Sequence, residues 1–325
     1  MALVEVRNLK KYFNTPDGLL HAVDNVTFSI QRGHTVGLAG ESGCGKSTLG
    51  RTLVHLHEST SGQILFDGRD ITHVNKRELK EVRGKMQMIF QDPYSSLNPR
   101  MTVEDAVREP MVLSRKYASA EISEKTLELM KLVGIDRRMR QAYPHELDGG
   151  RRQRVGIARA LAMDPEFIVC DEPVSALDVS IQAQILNLLQ DLQEQKKLTY
   201  LFVTHDMSVL RHISDDICIM YLGQMVEMCE AEELFHRPLH PYTQALLSAI
   251  PSTDIDHPKQ RIMLEGEIVS PVDPKPGCRF AARCPYASKE CGQDQELKEV
   301  SPGHLVACCR LDHIMKSQNK PVQGE

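Results

Sequence analysis

The sequence predicts an α/β fold. A parallel sheet covered by helices is built around a phosphate-binding loop, with a small antiparallel sheet beside it, a mostly helical insertion, and a small cysteine-rich C-terminal domain. Three observations predict it. The run Gly40-Glu41-Ser42-Gly43-Cys44-Gly45-Lys46-Ser47-Thr48 fits the pattern G-x-x-x-x-G-K-[ST] without a gap. Short apolar runs alternate with helical periods from residue 166 onward, as in a parallel sheet with crossover helices. Nine cysteines are present, and Cys278, Cys284, Cys291, Cys308 and Cys309 crowd the C-terminal end.

The loop has the right flanks. Residues 34–39 read as a short buried strand and residues 47–56 as a helix. Glycines let the backbone wrap so that successive N–H groups face phosphate oxygens, and the helix N-terminus adds its dipole. In such a loop Lys46 reaches the β- and γ-phosphates and Ser47 holds Mg²⁺. A chance match in a chain of this length is on the order of a per cent from residue frequencies.

The remaining elements follow in order. Residues 3–7 and 23–30 alternate apolar and polar as half-buried strands do, with a turn at 14–18 between them. Residues 62–68 make another strand, which completes the antiparallel sheet. Residues 85–90 are an apolar strand ending at Gln91. Residues from about 92 to 150 read as the helical insertion, with helical periods at 103–112 and 121–133, and a further helix spans 149–163. Strands are predicted at 166–170, 199–203 and 216–220, and a helix from 180 to about 195. Residues 251–258 read as a linker, 261–268 as a short β-like piece, and 316–325 as a disordered polar tail. The domain boundary is placed near 252, giving units 1–252 and 253–325. There is no internal repeat.

Composition narrows the function. Hydrophobic residues make up 41% of the 325, enough for a sizeable core. A net charge of −5, from 39 basic and 44 acidic residues, argues against a general nucleic-acid binder. No charged segment followed by an apolar run opens the sequence, so no signal peptide is expected. The longest stretch without Asp, Glu, Lys or Arg, Pro238 to Thr253, falls short of the ~20 apolar residues of a membrane span. A soluble, cytoplasmic chain that meets a membrane only through a partner is the expectation.

Further chemistry lies at strand ends. Asp171 closes the strand 167–171, where a carboxylate suits Mg²⁺ beside a phosphate loop. Many strands end in Asp, so this signal is weak by itself. Glu172 follows, free to accept a proton from an attacking water. His205, after the strand 199–203, can hydrogen-bond a γ-phosphate. A lone histidine there is more often an ordinary surface residue.

Taken together, these residues resemble the ATP-binding subunit of ABC transporters. Leu147-Asp148-Gly149-Gly150-Arg151 looks like the family's signature sequence, and Ser175-Ala176-Leu177-Asp178 looks like its D-loop with Asp178. Gln91 matches the Q-loop glutamine, and His205 the switch histidine. Phe13, rather than its neighbour Tyr12, matches the aromatic that stacks on adenine. The resemblance covers residues 1 to about 250. It implies a P-loop NTPase (RecA-like) core with the antiparallel β and helical subdomains of ABC type. It also implies ATP and Mg²⁺ as ligands. ATP would be held by Phe13, Tyr12, Gly40, Ser42, Gly43, Cys44, Gly45, Lys46, Ser47 and Thr48. Mg²⁺ would be held by Ser47, Gln91 and Asp171. Glu172, His205 and Gln91 would be catalytic. Two such subunits would sandwich each ATP between one phosphate loop and the partner's signature.

Residues 237–247 resemble the extension in ATP-binding subunits of dipeptide and oligopeptide importers, and Asn98-Pro99 fits the same group. Nickel-importer relatives carry the extension too. The expected assembly has a second, homologous ATP-binding subunit, two membrane permease subunits docked on the helical insertion, and an external solute-binding protein. The chain would sit at the cytoplasmic face of the cell membrane.

The cysteines are spaced C-x5-C-x6-C-x16-C over Cys278, Cys284, Cys291 and Cys308. Cytoplasmic disulfides do not persist. Structural zinc sites usually show a C-x2-C knuckle, absent here. An iron–sulfur cluster needs four thiolates without a fixed short knuckle, and loose thiols are the plain alternative. The importer resemblance implies a four-iron four-sulfur (4Fe-4S) cluster on these four, with Cys309 as a rival to Cys308.

One departure stands out. Asp148 and Arg151 replace the family's signature serine and glutamine. Asp caps a helix as well as Ser does. A carboxylate facing the partner's γ-phosphate, however, is expected to weaken closure over that ATP, with Arg151 offsetting part of the repulsion. The function expected is ATP hydrolysis that powers peptide import. Rivals are a nickel or other small-solute importer, a soluble ABC protein acting on DNA or ribosomes, and a regulatory module that binds nucleotide without turnover. The second usually has two cassettes or a long coiled coil, and the intact Lys46, Asp171, Glu172 and His205 argue against the third.

Overall fold

Strands β1 (Ala2–Thr15) and β2 (Gly18–Gln31) form a long antiparallel hairpin in the computed structural model, which describes residues 1–251, 261–266 and 269–318. Val4, Val6, Val26, Phe28 and Ile30 face inward, while Arg7, Asn25 and Thr27 face water. This alternation is what the sequence predicts, although both strands run further than expected. After β3 (Thr35–Ala39) and helix α1 (Lys46–Leu53), β4 (Ser61–Phe66) pairs with β1. β5 (Arg69–Asp70) then completes a four-stranded sheet of order β2-β1-β4-β5.

Helix α2 (Lys76–Lys85) is not anticipated. Its signal is local: Asn75 accepts the N–H groups of Arg77 and Glu78, and the Glu78 carboxylate reaches back to the Asn75 N–H. Strand β6 (Met86–Ile89) follows. The insertion holds the short α3 (Pro93–Ser96), α4 (Val103–Ser114), α5 (Ser119–Leu132) and α6 (Gly149–Leu161), close to the predicted spans. Val107, Met111, Leu129, Met130 and Val155 join its helices through one apolar cluster that continues under the main sheet.

That main sheet carries β7 (Phe167–Asp171), α7 (Val179–Lys196), β8 (Thr199–Val203), α8 (Met207–Ile213) and β9 (Asp216–Tyr221). β6, β7, β8, β3 and β9 lie parallel in the order β9-β3-β8-β7-β6. Every residue of β3, β7 and β8 is buried, as expected for strands covered on both faces.

The chain then turns back. β10 (Gln224–Glu230) runs antiparallel to β9 and is followed by α9 (Ala231–His236) and α10 (Pro241–Ser248). Near the C-terminal end, β11 (Lys298–Ser301) and β12 (His304–Val306) form a hairpin whose β12 pairs with β10. The main sheet therefore has eight described strands, and the C-terminal segment shares its hydrogen bonds. Helix α11 (Leu311–Gln318) closes the described chain.

Three C-terminal expectations need comment. Residues 261–266 form no strand, contrary to the β-like piece predicted at 261–268. Among the described residues their apolar positions meet no partner strand, so the pattern has no ladder to join. Residues 316–318 are helical rather than disordered, because α11 continues from Ile314, which is buried. The linker from 252 onward and the tail from 319 lie outside the described residues.

Candidate nucleotide site

The loop after β3 is bent by its glycines. Gly40 and Gly45 have φ of 152° and 105°. A Cβ at Gly45 would stand 1.9 Å from the Ala22 carbonyl oxygen, and one at Gly40 would stand 2.1 Å from that of Met220. Only glycine fits either place. α1 starts at Lys46 with no side chain capping it, so its first N–H groups are free for an anion. Lys46 is buried, and its ammonium donates to the carbonyl oxygens of Gly40 (2.8 Å) and Glu41 (3.0 Å).

The end of β7 brings the two carboxylates to this loop. Ser47 Oγ donates to Asp171 Oδ1 at 2.7 Å. Asp171 is fully buried, its Oδ2 has no hydrogen-bond partner among the described residues, and Arg51 stands 3.6 Å from it. Burial raises the Asp171 carboxyl above its usual range, against the pull of Ser47 and Arg51. A hydroxyl beside a buried carboxylate with a spare oxygen fits a hard cation such as Mg²⁺.

Glu172 adopts φ 44° and points the other way. Its carboxylate accepts Gln91 Nε2 at 2.7 Å and lies 3.2 Å from His205 Nδ1. Gln91 arrives from the end of β6 and His205 from the end of β8. The parallel register sets the C-terminal ends of β6, β7 and β8 side by side, which gathers three residues that are far apart in sequence.

Lys46, Ser47, Gln91, Glu172 and His205 line one open cavity of about 490 Å³, with Asp171 buried behind Ser47. Of the residues expected at ATP, Phe13, Ser42, Gly43, Gly45, Lys46, Ser47 and Thr48 line it, together with Gln91, Glu172 and His205. Tyr12, Gly40 and Cys44 do not. The Tyr12 hydroxyl instead donates to Asp24 at 2.5 Å, with its ring stacked on His21, and burial raises its pKa. Gly40 forms the turn, and Cys44 is buried behind the loop. The sequence reading missed Leu20, His21, Ala22, Leu222, Gly223 and Pro271 on the cavity wall. Leu222 and Gly223 follow β9 in a turn, and nothing local marks any of the six.

The signature residues lie elsewhere. Asp148 caps α6 by accepting the Arg151 N–H at 2.8 Å, and its other oxygen lies 3.3 Å from the Arg151 guanidinium. Both side chains are more than half exposed. Gly149 packs on Leu177 and Gly150 on Ile181, at the start of α7. Asp178 precedes α7 without a side-chain capping bond. Asp148, Gly149, Gly150, Arg151 and Asp178 are therefore absent from this cavity wall.

The C-terminal cysteines correct an expectation. Among the described residues no group of three or more His, Cys, Asp or Glu is placed to hold a metal ion, which overturns both the 4Fe-4S cluster and the zinc alternative. Cys291 faces Cys309, with the sulfurs 3.8 Å apart. Cys278 and Cys284 pack against the main apolar cluster and Cys308 against a small satellite one. Burial pushes the Cys278 thiol up to about 11 and Cys308 up to about 12.

Comparison with known proteins agrees with the geometry. The ABC transporter family model matches residues 23–175, and that of the oligopeptide/dipeptide transporter C-terminal region matches 226–291. The oligopeptide transport ATP-binding protein AppF of Bacillus subtilis (strain 168) is 51% identical over 317 residues, covering 94% of this chain and 96% of its own. OppF, the oligopeptide transport ATP-binding protein of the same organism, is 48% identical over 95% of this chain and 97% of its own. The ATP-binding cassette MJ0796, solved as a dimer in a post-hydrolysis state with ADP and Pi, is 31% identical with a TM-score of 0.65. That match covers 70% of this chain and 98% of the cassette. CbiO1 of Clostridium perfringens, part of the ABC transporter complex cbiONQ, also gives 0.65 at 28% identity, over 73% of this chain and 91% of its own.

Proposed function

The chain belongs to the ABC transporter family of ATP-binding cassettes, and from that premise we infer that it is the ATP-hydrolysing subunit energising uptake of di- and oligopeptides through a membrane permease. The observation that carries the reading is the convergence of Lys46, Ser47, Glu172, Gln91 and His205 on one cavity, with Asp171 bonded to Ser47 behind its wall.

The polyphosphate of ATP lies along the loop N–H groups, and Lys46 exchanges its two carbonyl partners for phosphate oxygens. Ser47 and Asp171, together with Gln91, would hold Mg²⁺, and the ion would supply neutralisation of phosphate charge. Glu172 accepts a proton from the attacking water, while Gln91 and His205 orient its carboxylate. Phe13 offers its ring to the base.

The assembly is a dimer of cassettes docked on membrane permease subunits. Its finer composition is proposed as a heterodimer with a homologous ATP-binding subunit, two permease subunits and an external solute-binding protein. Asp148, Gly149, Gly150 and Arg151 serve the partner's ATP, and Asp178 belongs to the same interface. No described helix is long and apolar enough to cross a membrane. As a subunit of such an importer, the chain is proposed to sit peripherally on the cytoplasmic face. Residues 1–252 are taken as the cassette and 253–325 as the importer extension. The nickel or small-solute alternative finds no support in the relatives named above.

The test is copurification with the permease subunits, followed by uptake of a labelled peptide panel into vesicles. ATP-dependent peptide uptake that is lost in Lys46→Ala is expected. Uptake of nickel and of no peptide would overturn the solute assignment.

A further inference from the structure

The segment beyond residue 270 builds part of the nucleotide cavity, although the phosphate-loop motif ends far before it. Pro271 lines the cavity, and its carbonyl accepts the His21 N–H at 3.0 Å. Val272 bridges Leu20, and the Asp273 N–H donates to the Leu19 carbonyl at 2.9 Å, so the segment lies along β2. Two arginines then reach back. Arg279 binds the Asp24 carboxylate and the Leu222 carbonyl on the Phe13 side of the cavity. Arg283 donates from Nη1 to both carboxylate oxygens of Glu41, at 3.0 and 2.9 Å.

Glu41 is the second residue of the phosphate loop, and it is held at three points. Its N–H donates to Tyr242 Oη at 2.8 Å, its carbonyl accepts Lys46 Nζ, and its carboxylate is taken by Arg283. The Arg283 side chain is only 11% exposed, which makes the pair stronger than a surface ion pair. A free carboxylate in a loop that must surround a polyphosphate opposes binding through like-charge repulsion.

We propose that Arg283 is a positioning residue for the nucleotide. It holds the Glu41 carboxylate on the C-terminal segment and away from the phosphates, and so makes ATP affinity depend on residues 271–283. The proposal rests on the cavity being the ATP site.

Equilibrium ATP binding by the full chain tests it, with Lys46→Ala as the control that must lose binding. Arg283→Gln should weaken binding about tenfold, the weight of one charge-assisted hydrogen bond. Arg283→Lys should stay within about threefold of wild type. The double variant Glu41→Gln/Arg283→Gln should return to within about threefold, because no free carboxylate remains. At saturating ATP the turnover of Arg283→Gln should match wild type, so KM moves and kcat does not. Wild-type affinity in Arg283→Gln, or a double variant as weak as the single one, overturns the proposal. So does a loss of affinity in Glu41→Gln alone, which tests the idea even if Arg283→Gln does not fold. A wild-type chain that binds no ATP overturns the site reading itself.

Discussion

Replacing Glu172 by Gln separates proton transfer from everything else this side chain does. The carboxylate is 15% exposed and makes two contacts, with Gln91 Nε2 at 2.7 Å and His205 Nδ1 at 3.2 Å. Gln has the same shape. Its amide oxygen can accept from Gln91, and its NH₂ can donate to a neutral His205 nitrogen. Stability should therefore change by less than about 1 kcal/mol, since neither neighbour is left without a partner. Lys46, Ser47 and Asp171 do not touch the Glu172 side chain, so ATP affinity should stay within about twofold. What is lost is the proton acceptor. A positioned base contributes about 10²–10⁴-fold, or about 3–5 kcal/mol of barrier. Phosphate release by the assembled transporter, ATP affinity and thermal unfolding are measured on the same preparation. Turnover within about fivefold of wild type, with affinity and stability unchanged, would falsify the assignment of Glu172 as the base.

The other predictions concern a helix cap and a buried histidine. Asp148→Ser keeps the N-cap and loses a half-exposed ion pair, so stability should move by no more than about 1 kcal/mol. Hydrolysis at the partner's phosphate loop should rise about fivefold, as expected for ~1 kcal/mol of relieved repulsion. Unchanged turnover in the assembled complex would mean that the pairing of Asp148 with Arg151 already cancels the charge. His240 is buried, caps α10, and burial lowers its pKa to about 4. A lowered histidine favours the native state above the unfolded value near 6.5 and loses that contribution as pH falls toward 4. Wild type should therefore lose about 2 kcal/mol from this group between pH 7.5 and 5. His240→Asn, which retains a cap acceptor, should show a shallower slope, and equal slopes in denaturant melts at the two pH values would refute the account.

The nucleotide loop, the parallel strands and the helical insertion were legible in the sequence because each is a local signal. A phosphate loop is a run of adjacent residues with required glycines, a strand covered on both faces is a continuous apolar run, and an amphipathic helix repeats every 3.6 residues. Asp171 and Glu172 were legible for the same reason, since they terminate such a run. The family resemblance supplied Gln91, Phe13 and the signature. It also carried the cluster expectation on Cys278, Cys284, Cys291 and Cys308, which cysteine spacing alone left open and the folded geometry overturned.

Tertiary structure alone decided the rest. That Tyr12 turns away from the cavity depends on Asp24 and His21 capturing its hydroxyl and ring. That the C-terminal hairpin extends the main sheet depends on the open edge of β10, a pairing between segments about 80 residues apart. The contacts of Arg279 and Arg283 with the nucleotide loop region close separations of more than 240 residues, and no periodicity or motif encodes such contacts. Sequence specifies what each segment can form by itself. The meeting of distant side chains is set by sheet order and register, which exist only once the chain has folded.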